Sequence, residues 1–297
     1  MLDATVMVDE LTFTEGVRWH AERVWFSDLY NGRVMSARED GSDLTVEGHV
    51  DGIPSGLGWL PDGDLLVSVQ DRRQVMRRRP DGEFVLHADL SGTAISFIND
   101  IVVDSDGTAY VGCFGFELFD DAPFDTAPLM KITQDGKVSV VGEPSYFPNG
   151  CFISDRSLIV AESMGNRISQ YDIAVDGSLN NRRDWATFGA IPTATALEDR
   201  YQEMVVAADG ISRIDAEGAI WVADFTKQYA VRVLPGGQIV DKVRTAGPVN
   251  CYSVALGGAD GRTLFLCAAP AEMDPELRRN EPQASMQFCR VPVPLTG

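Results

Sequence analysis

Four residues with oxygen-bearing side chains, Glu15, Asn99, Asn149 and Asp209, stand at nearly the same distance ahead of four β-rich runs. Glu15-Gly16 lies nine residues before Val24, Asn99-Asp100 nine before Thr108, Asn149-Gly150 nine before Leu158, and Asp209-Gly210 eleven before Ile220. Two carboxylates and two amide oxygens, completed by water, make a hard all-oxygen shell that suits Ca2+, and less selectively Mg2+ or Mn2+. Zn2+ accepts such donors but prefers His or Cys, and only Cys151 and Cys251 are offered nearby. Any one Asn-Gly or Asp-Gly pair is by itself a turn signal. The shared phase is what a turn leaves unexplained, because a turn calls for the glycine and not for an oxygen donor beside it.

The elements that must hold these residues are repeats. Short apolar β-runs begin near Val24, Leu65, Thr108, Leu158, Ile220 and Leu264, at spacings of 41, 43, 50, 62 and 44 residues. A second alternating run follows most of them, as in GRVMSARED, APLMKITQDG and YAVRVLPGG, and an Asp-Gly or Gly-Gly pair then closes a hairpin. Six such units with almost no helical periodicity predict an all-β, six-bladed β-propeller with four-stranded blades around a central channel, one domain over residues 1–297. In that architecture the first strand of every blade starts at one mouth of the channel, so residues far apart in the chain converge there. Ser55-Gly56-Leu57-Gly58 and Asn250-Cys251-Tyr252-Ser253 occupy the corresponding places of the second and sixth repeats. The opening ATVMV is expected to pair with the last blade and close the circle. Residues 116–128 and 185–204 read as loops over one mouth, and Phe97, Tyr146 and Phe147, just ahead of the polar positions, as an apolar substrate lining.

Other classes are disfavoured. A formal charge of −19 speaks against nucleic acid and anionic lipid as partners. No stretch approaches the roughly 20 apolar residues of a membrane span. The acidic N-terminus lacks the pattern of a secretory signal, and five cysteines without CxxC spacing read as reduced, buried thiols, which together point to the cytoplasm. The three histidines, His20, His49 and His87, fall outside the shared phase, which weighs against a Ser-His-Asp triad. Without a histidine partner, Cys151 and Cys251 read as packing residues rather than nucleophiles.

The set TEGVRW, PSGLGWLPDGDLLV, FINDIVVDSDGTAYVG, PNGCFISDRSLIVAES and ADGISRIDAEGAIWVADF resembles the SMP-30/gluconolactonase/luciferin-regenerating-enzyme-like family over Thr14 to about Ala268. The resemblance implies a divalent metal held by Glu15, Asn149 and Asp209, with Asp209 also the general base and Asn99 close to metal and substrate. It implies hydrolysis of a lactone or related ester. One position departs: sugar-lactone members carry arginine where this chain has Phe97. A ring in place of a five-donor guanidinium cannot bind sugar hydroxyls, so the expected substrate is a less polar lactone. Asp100 reads either as support for a ligand or as a backbone cap. Two alternatives stay open: attack on another ester such as a phosphotriester, and a non-catalytic binding propeller in which the metal is structural. The oligomeric state is not written in the sequence.

Overall fold

The structure, a computed structural model, describes residues 1–117 and 122–296. Its strands form six sheets. In chain order the blades comprise Thr14–His20, Arg23–Asp28, Arg33–Ala37 and Thr45–His49; then Pro54–Trp59, Leu65–Val69, Gln74–Arg78 and Phe84–Asp89. The third has Ile98–Val103, Ala109–Cys113, Ala127–Ile132 and Val138–Ser145, and the fourth Pro148–Ser154, Ser157–Glu162, Arg167–Ile173 and Leu179–Thr187. The fifth has Ala208–Ile211, Ile220–Asp224, Tyr229–Val233 and Ile239–Arg244, and the sixth Asn250–Gly257, Thr263–Ala269 and Ala284–Arg290. Consecutive strands within a blade pair antiparallel through the expected hairpins. Gly41, Gly82, Gly136, Gly177 and Gly237 take the positive φ that those turns need.

Burial explains which runs were apolar. Second strands such as Ser157–Glu162 and Thr263–Ala269 are buried at every residue, so both faces need apolar or small side chains. Fourth strands such as Thr45–His49 and Leu179–Thr187 are largely open to solvent and carry polar residues. The sixth blade borrows its fourth strand from the N-terminus: Thr5–Leu11 pairs antiparallel with Ala284–Arg290, setting Thr5 opposite Phe288 and Val8 opposite Met286. This is the pairing expected of ATVMV. An addition the sequence did not suggest is Leu2–Asp3, which lies parallel to Ile239–Arg244 as a fifth strand on blade five.

The chain divides into two compact units, Met1–Ser55 with the chain from Asp209 onward, and Gly56–Ala208. In the first, Phe265 and Met286 pack with Val17 and Phe26, and Trp221 with Val254 and Leu264. In the second, Leu66 and Val75 pack with Ile98 and Val111, and Tyr110 and Leu129 with Leu158 and Tyr171. Each cluster joins neighbouring blades.

The stretch 185–204, expected as loop, is loop only in part. Trp185, Ala186 and Thr187 end the fourth strand of blade four, and Leu197–Gln202 is a short helix, with a second at Pro275–Asn280. Six residues are too few to show a helical repeat in sequence. Of the other expected loop, Ala127 and Pro128 begin a strand, while residues 118–121 lie outside the described residues. Among the described residues no helix is long and apolar enough to cross a membrane.

Gly112, in the second strand of blade three, faces the start of blade four so closely that a Cβ there would lie 2.1 Å from the Pro148 carbonyl oxygen. Gly112→Ala is therefore expected to destabilise the fold by about 1–3 kcal/mol, through overpacking against backbone that cannot retreat. A urea titration against the parent chain reads the difference; an unchanged midpoint would show that the two strands can separate at no cost.

Candidate active site

One strand position gathers the chemistry. The second residue of the first strand is, blade by blade, Glu15, Ser55, Asn99, Asn149, Asp209 and Cys251, and all six are buried. Four of these strands slip register at or beside that residue: between Glu15 and Arg18, Ile98 and Ile101, Pro148 and Cys151, and Cys251 and Ser253. A bulge bends its strand and re-aims the side chain it carries, so the repeated slip is a repeated aiming device.

In the first unit the structure brings Glu15 and Asp209 to shared neighbours. Burial first, then the negative charge of Asp209, Asp224 and Glu15, holds the Cys251 thiol well above its ordinary value. Burial again, then Asp209 and Glu15, raises the phenol of Tyr252. Both groups stay protonated at neutral pH, so Cys251 is no nucleophile here, in keeping with its reading as packing. Phe13, two residues ahead of Glu15, lies 4.5 Å from the Tyr252 ring between centroids. The fully buried Asp28 fixes the approach to Glu15: its Oδ1 accepts the backbone N–H of Thr12 at 2.9 Å, and its Oδ2 accepts Nε of Arg33 at 3.0 Å.

The second unit repeats this plan around the asparagines. Glu162, also fully buried, accepts the N–H of Tyr146 on Oε2 at 2.8 Å and Nε of Arg167 on Oε1 at 2.9 Å. Asn149 donates from Nδ2 to Ser163 Oγ at 3.0 Å. The oxygen of the Asn99 amide accepts Nε2 of Gln70 at 3.0 Å, and the Asn99 carbonyl accepts Ser68 Oγ at 2.5 Å. Asp100 Oδ1 accepts the N–H of Ile101 at 2.8 Å, the backbone-cap role. Phe97 and Phe147 stand two residues ahead of Asn99 and Asn149, and one ring connects them: Phe114 lies 6.3 Å from Phe97 and 4.1 Å from Phe147. Tyr146 stacks on Phe124 at 6.2 Å, and the Arg200 guanidinium sits 3.8 Å over Phe124. Phe147 holds a φ of 61°, uncommon for a bulky residue, under the restraint of Ser163 N–H on its carbonyl at 3.0 Å.

Thus Glu15 and Asp209 share neighbours in one unit, while in the other Phe97 and Phe147 meet through Phe114, Tyr146 rests on Phe124, and Asn99 and Asn149 each bond partners of their own. Sequence reasoning missed Asp28, Glu162, Ser163, Phe114 and Arg200. A signal existed for two of them: DLYNGR and ESMGNR each end a second strand with an acid and place arginine five residues on.

A divalent cation fits these donors. Two buried carboxylates that raise the same thiol and the same phenol concentrate negative charge away from water, a costly arrangement that a dication offsets. Among the described residues no three His, Cys, Asp or Glu side chains form a metal cluster by themselves. An ion here would therefore draw on amide oxygen or water as well, which is the hard-donor chemistry of Ca2+ or Mg2+.

Residues 13–270 match the family described as SMP-30/Gluconolactonase/LRE-like region, and the chain belongs to that family. It is 26% identical over 189 residues, 56% of this chain, to diisopropyl-fluorophosphatase of Loligo vulgaris, and the match spans 58% of that relative's length. Among solved structures it resembles luciferin-regenerating enzyme, with a TM-score of 0.77 and 20% identity over 99% of this chain and 98% of that one. It also resembles a calcium-binding protein, regucalcin, from Agrobacterium tumefaciens, with a TM-score of 0.75 and 18% identity over 99% and 96% of the two chains. With six four-stranded blades, the likeness makes the fold a six-bladed β-propeller.

Glu162→Ala would strand Arg167, take from Arg182 one of its two carboxylate partners, and release the Tyr146 backbone. Breaking one side of such a buried network is expected to cost about 3–5 kcal/mol. Chemical denaturation measures it, and a loss under 1 kcal/mol would mean that solvent already supports the arginines.

Proposed function

We propose that this chain is a divalent-metal-dependent hydrolase that opens a lactone less polar than a sugar lactone. The observation that carries the reading is the common strand position of Glu15, Asn99, Asn149 and Asp209, all buried, in a member of a family named for gluconolactonase. Glu15, Asn149 and Asp209 would hold the ion, with Ca2+ favoured by the oxygen donors and by the calcium-binding relative, and Mg2+, Mn2+ or Zn2+ as lesser fits. Such a bound ion supplies polarisation of the carbonyl oxygen and acidification of water, worth several kcal/mol at the transition state.

The side chains do the rest. Asp209 takes the proton of the attacking water as its oxygen bonds to the carbonyl carbon. Asn99, whose amide oxygen accepts Nε2 of Gln70, is assigned to orient the substrate. The ring C–O bond then breaks, the alkoxide takes up a proton, and a hydroxy acid leaves. Phe97, Tyr146 and Phe147, backed by Phe114, form an aromatic wall for an apolar body and offer no partner for a row of hydroxyls beyond the Tyr146 phenol. Five free, buried cysteines fit a reducing compartment, the cytoplasm.

A second reading keeps the donors and changes the bond: the relative diisopropyl-fluorophosphatase favours attack on a phosphorus ester by the same polarisation. An assay of alkyl and aryl γ- and δ-lactones, gluconolactone and a phosphotriester, with and without chelator, separates these readings. Lactone turnover is expected to vanish with chelator and in Asp209→Ala, with the far-ultraviolet circular dichroism of that variant unchanged. Phe97→Arg should shift preference toward gluconolactone about tenfold or more, by adding a hydroxyl partner. Turnover that survives Asp209→Ala removes the assigned base; no turnover on any ester, with chelation lowering only the melting temperature, leaves a binding propeller.

A further inference from the structure

We infer that Ser163 is a positioning residue for the proposed cation, acting by fixing which end of the Asn149 amide is offered; this rests on the metal reading above. A serine hydroxyl has one hydrogen. That of Ser163 goes to the Ala208 carbonyl oxygen at 2.7 Å, an atom that can only accept. With its hydrogen committed, Ser163 Oγ can only accept from Asn149, and it does so from Nδ2 at 3.0 Å. The amide nitrogen is thereby turned toward Ser163, and Oδ1, the atom a hard cation uses, is turned away from it. All three groups are buried, so water does not compete for these bonds. Ala208, which accepts that hydrogen, opens the strand Ala208–Ile211.

The same clasp elsewhere supplies the control. Ser68 Oγ accepts the N–H of Gly56 at 2.8 Å and donates to the Asn99 carbonyl at 2.5 Å. It bonds backbone alone. Ser68→Ala removes at least as many hydrogen bonds as Ser163→Ala, without touching the side chain of an assigned ligand.

The experiment is calorimetric titration of the metal-stripped full chain with Ca2+, alongside melting curves of the ion-free proteins. Ser163→Ala is expected to bind Ca2+ about 10- to 100-fold more weakly than the parent, and Ser68→Ala to bind within about threefold of it, although both melt earlier. Ser163→Cys, which fills the space with a poor acceptor, should match Ser163→Ala and serves if the alanine variant does not fold. Parental affinity in either Ser163 variant overturns the inference, as does an equal loss in Ser68→Ala, which would report general loosening. A parent chain that takes up none of Ca2+, Mg2+ and Mn2+ overturns the metal reading itself, and is told apart because no variant then has an affinity to lose.

Discussion

A buried carboxylate or hydroxyl is costly unless its hydrogen bonds are completed, and in blades one, two and four that requirement ties the end of the second strand to the start of a first strand. Asp28 and Glu162 close second strands, are fully buried, and reach the backbone just ahead of Glu15 and Asn149. An arginine from the third strand balances each one. Ser27, Ser68 and Ser163 reach on to the carbonyls of Ser55, Asn99 and Ala208 in the next blade. Remove these ties and the first strands keep their pairing but lose the fixed starting point from which the bulges aim.

The second consequence is a division of labour two residues wide. At the strand position itself the side chains are Glu, Ser, Asn, Asn, Asp and Cys; two residues earlier they are Phe13, Ile53, Phe97, Phe147, Ala207 and Val249. Polar donors thus stand next to an apolar tier along every first strand. In the second unit that tier is continuous through Phe114 and is closed over by Arg200, which bonds the Met164 carbonyl and covers Phe124. A cation over an aromatic face secures the helix Leu197–Gln202 without an acidic partner among its hydrogen bonds.

The blades were legible because a second strand buried on both faces writes a mostly apolar run, as at Leu65–Val69 and Ile220–Asp224. The turns were legible because positive φ selects glycine. Glu15, Asn99, Asn149 and Asp209 were legible as a phase, since each occupies the same strand position. What stayed hidden depends on contacts across blades. Nothing in the sequence marks Ser163 apart from the chain's other serines, because its role comes from Asn149 and Ala208, 14 and 45 residues away. Phe114 was invisible for the same reason, and the helix Leu197–Gln202 because Arg200, its buried residue, is a charged one.

The borrowed strand Thr5–Leu11 ties the timing of folding to the order of synthesis. The sixth blade draws one strand from residues 5–11 and three from residues 250–290, so a growing chain carries the first of these unpaired until residues 284–290 have emerged. Blades two to four need no such wait, since their strands are consecutive. The strands Thr5–Leu11 and Ala284–Arg290 are therefore among the latest to settle, with Leu2–Asp3, just ahead of the first, held along blade five.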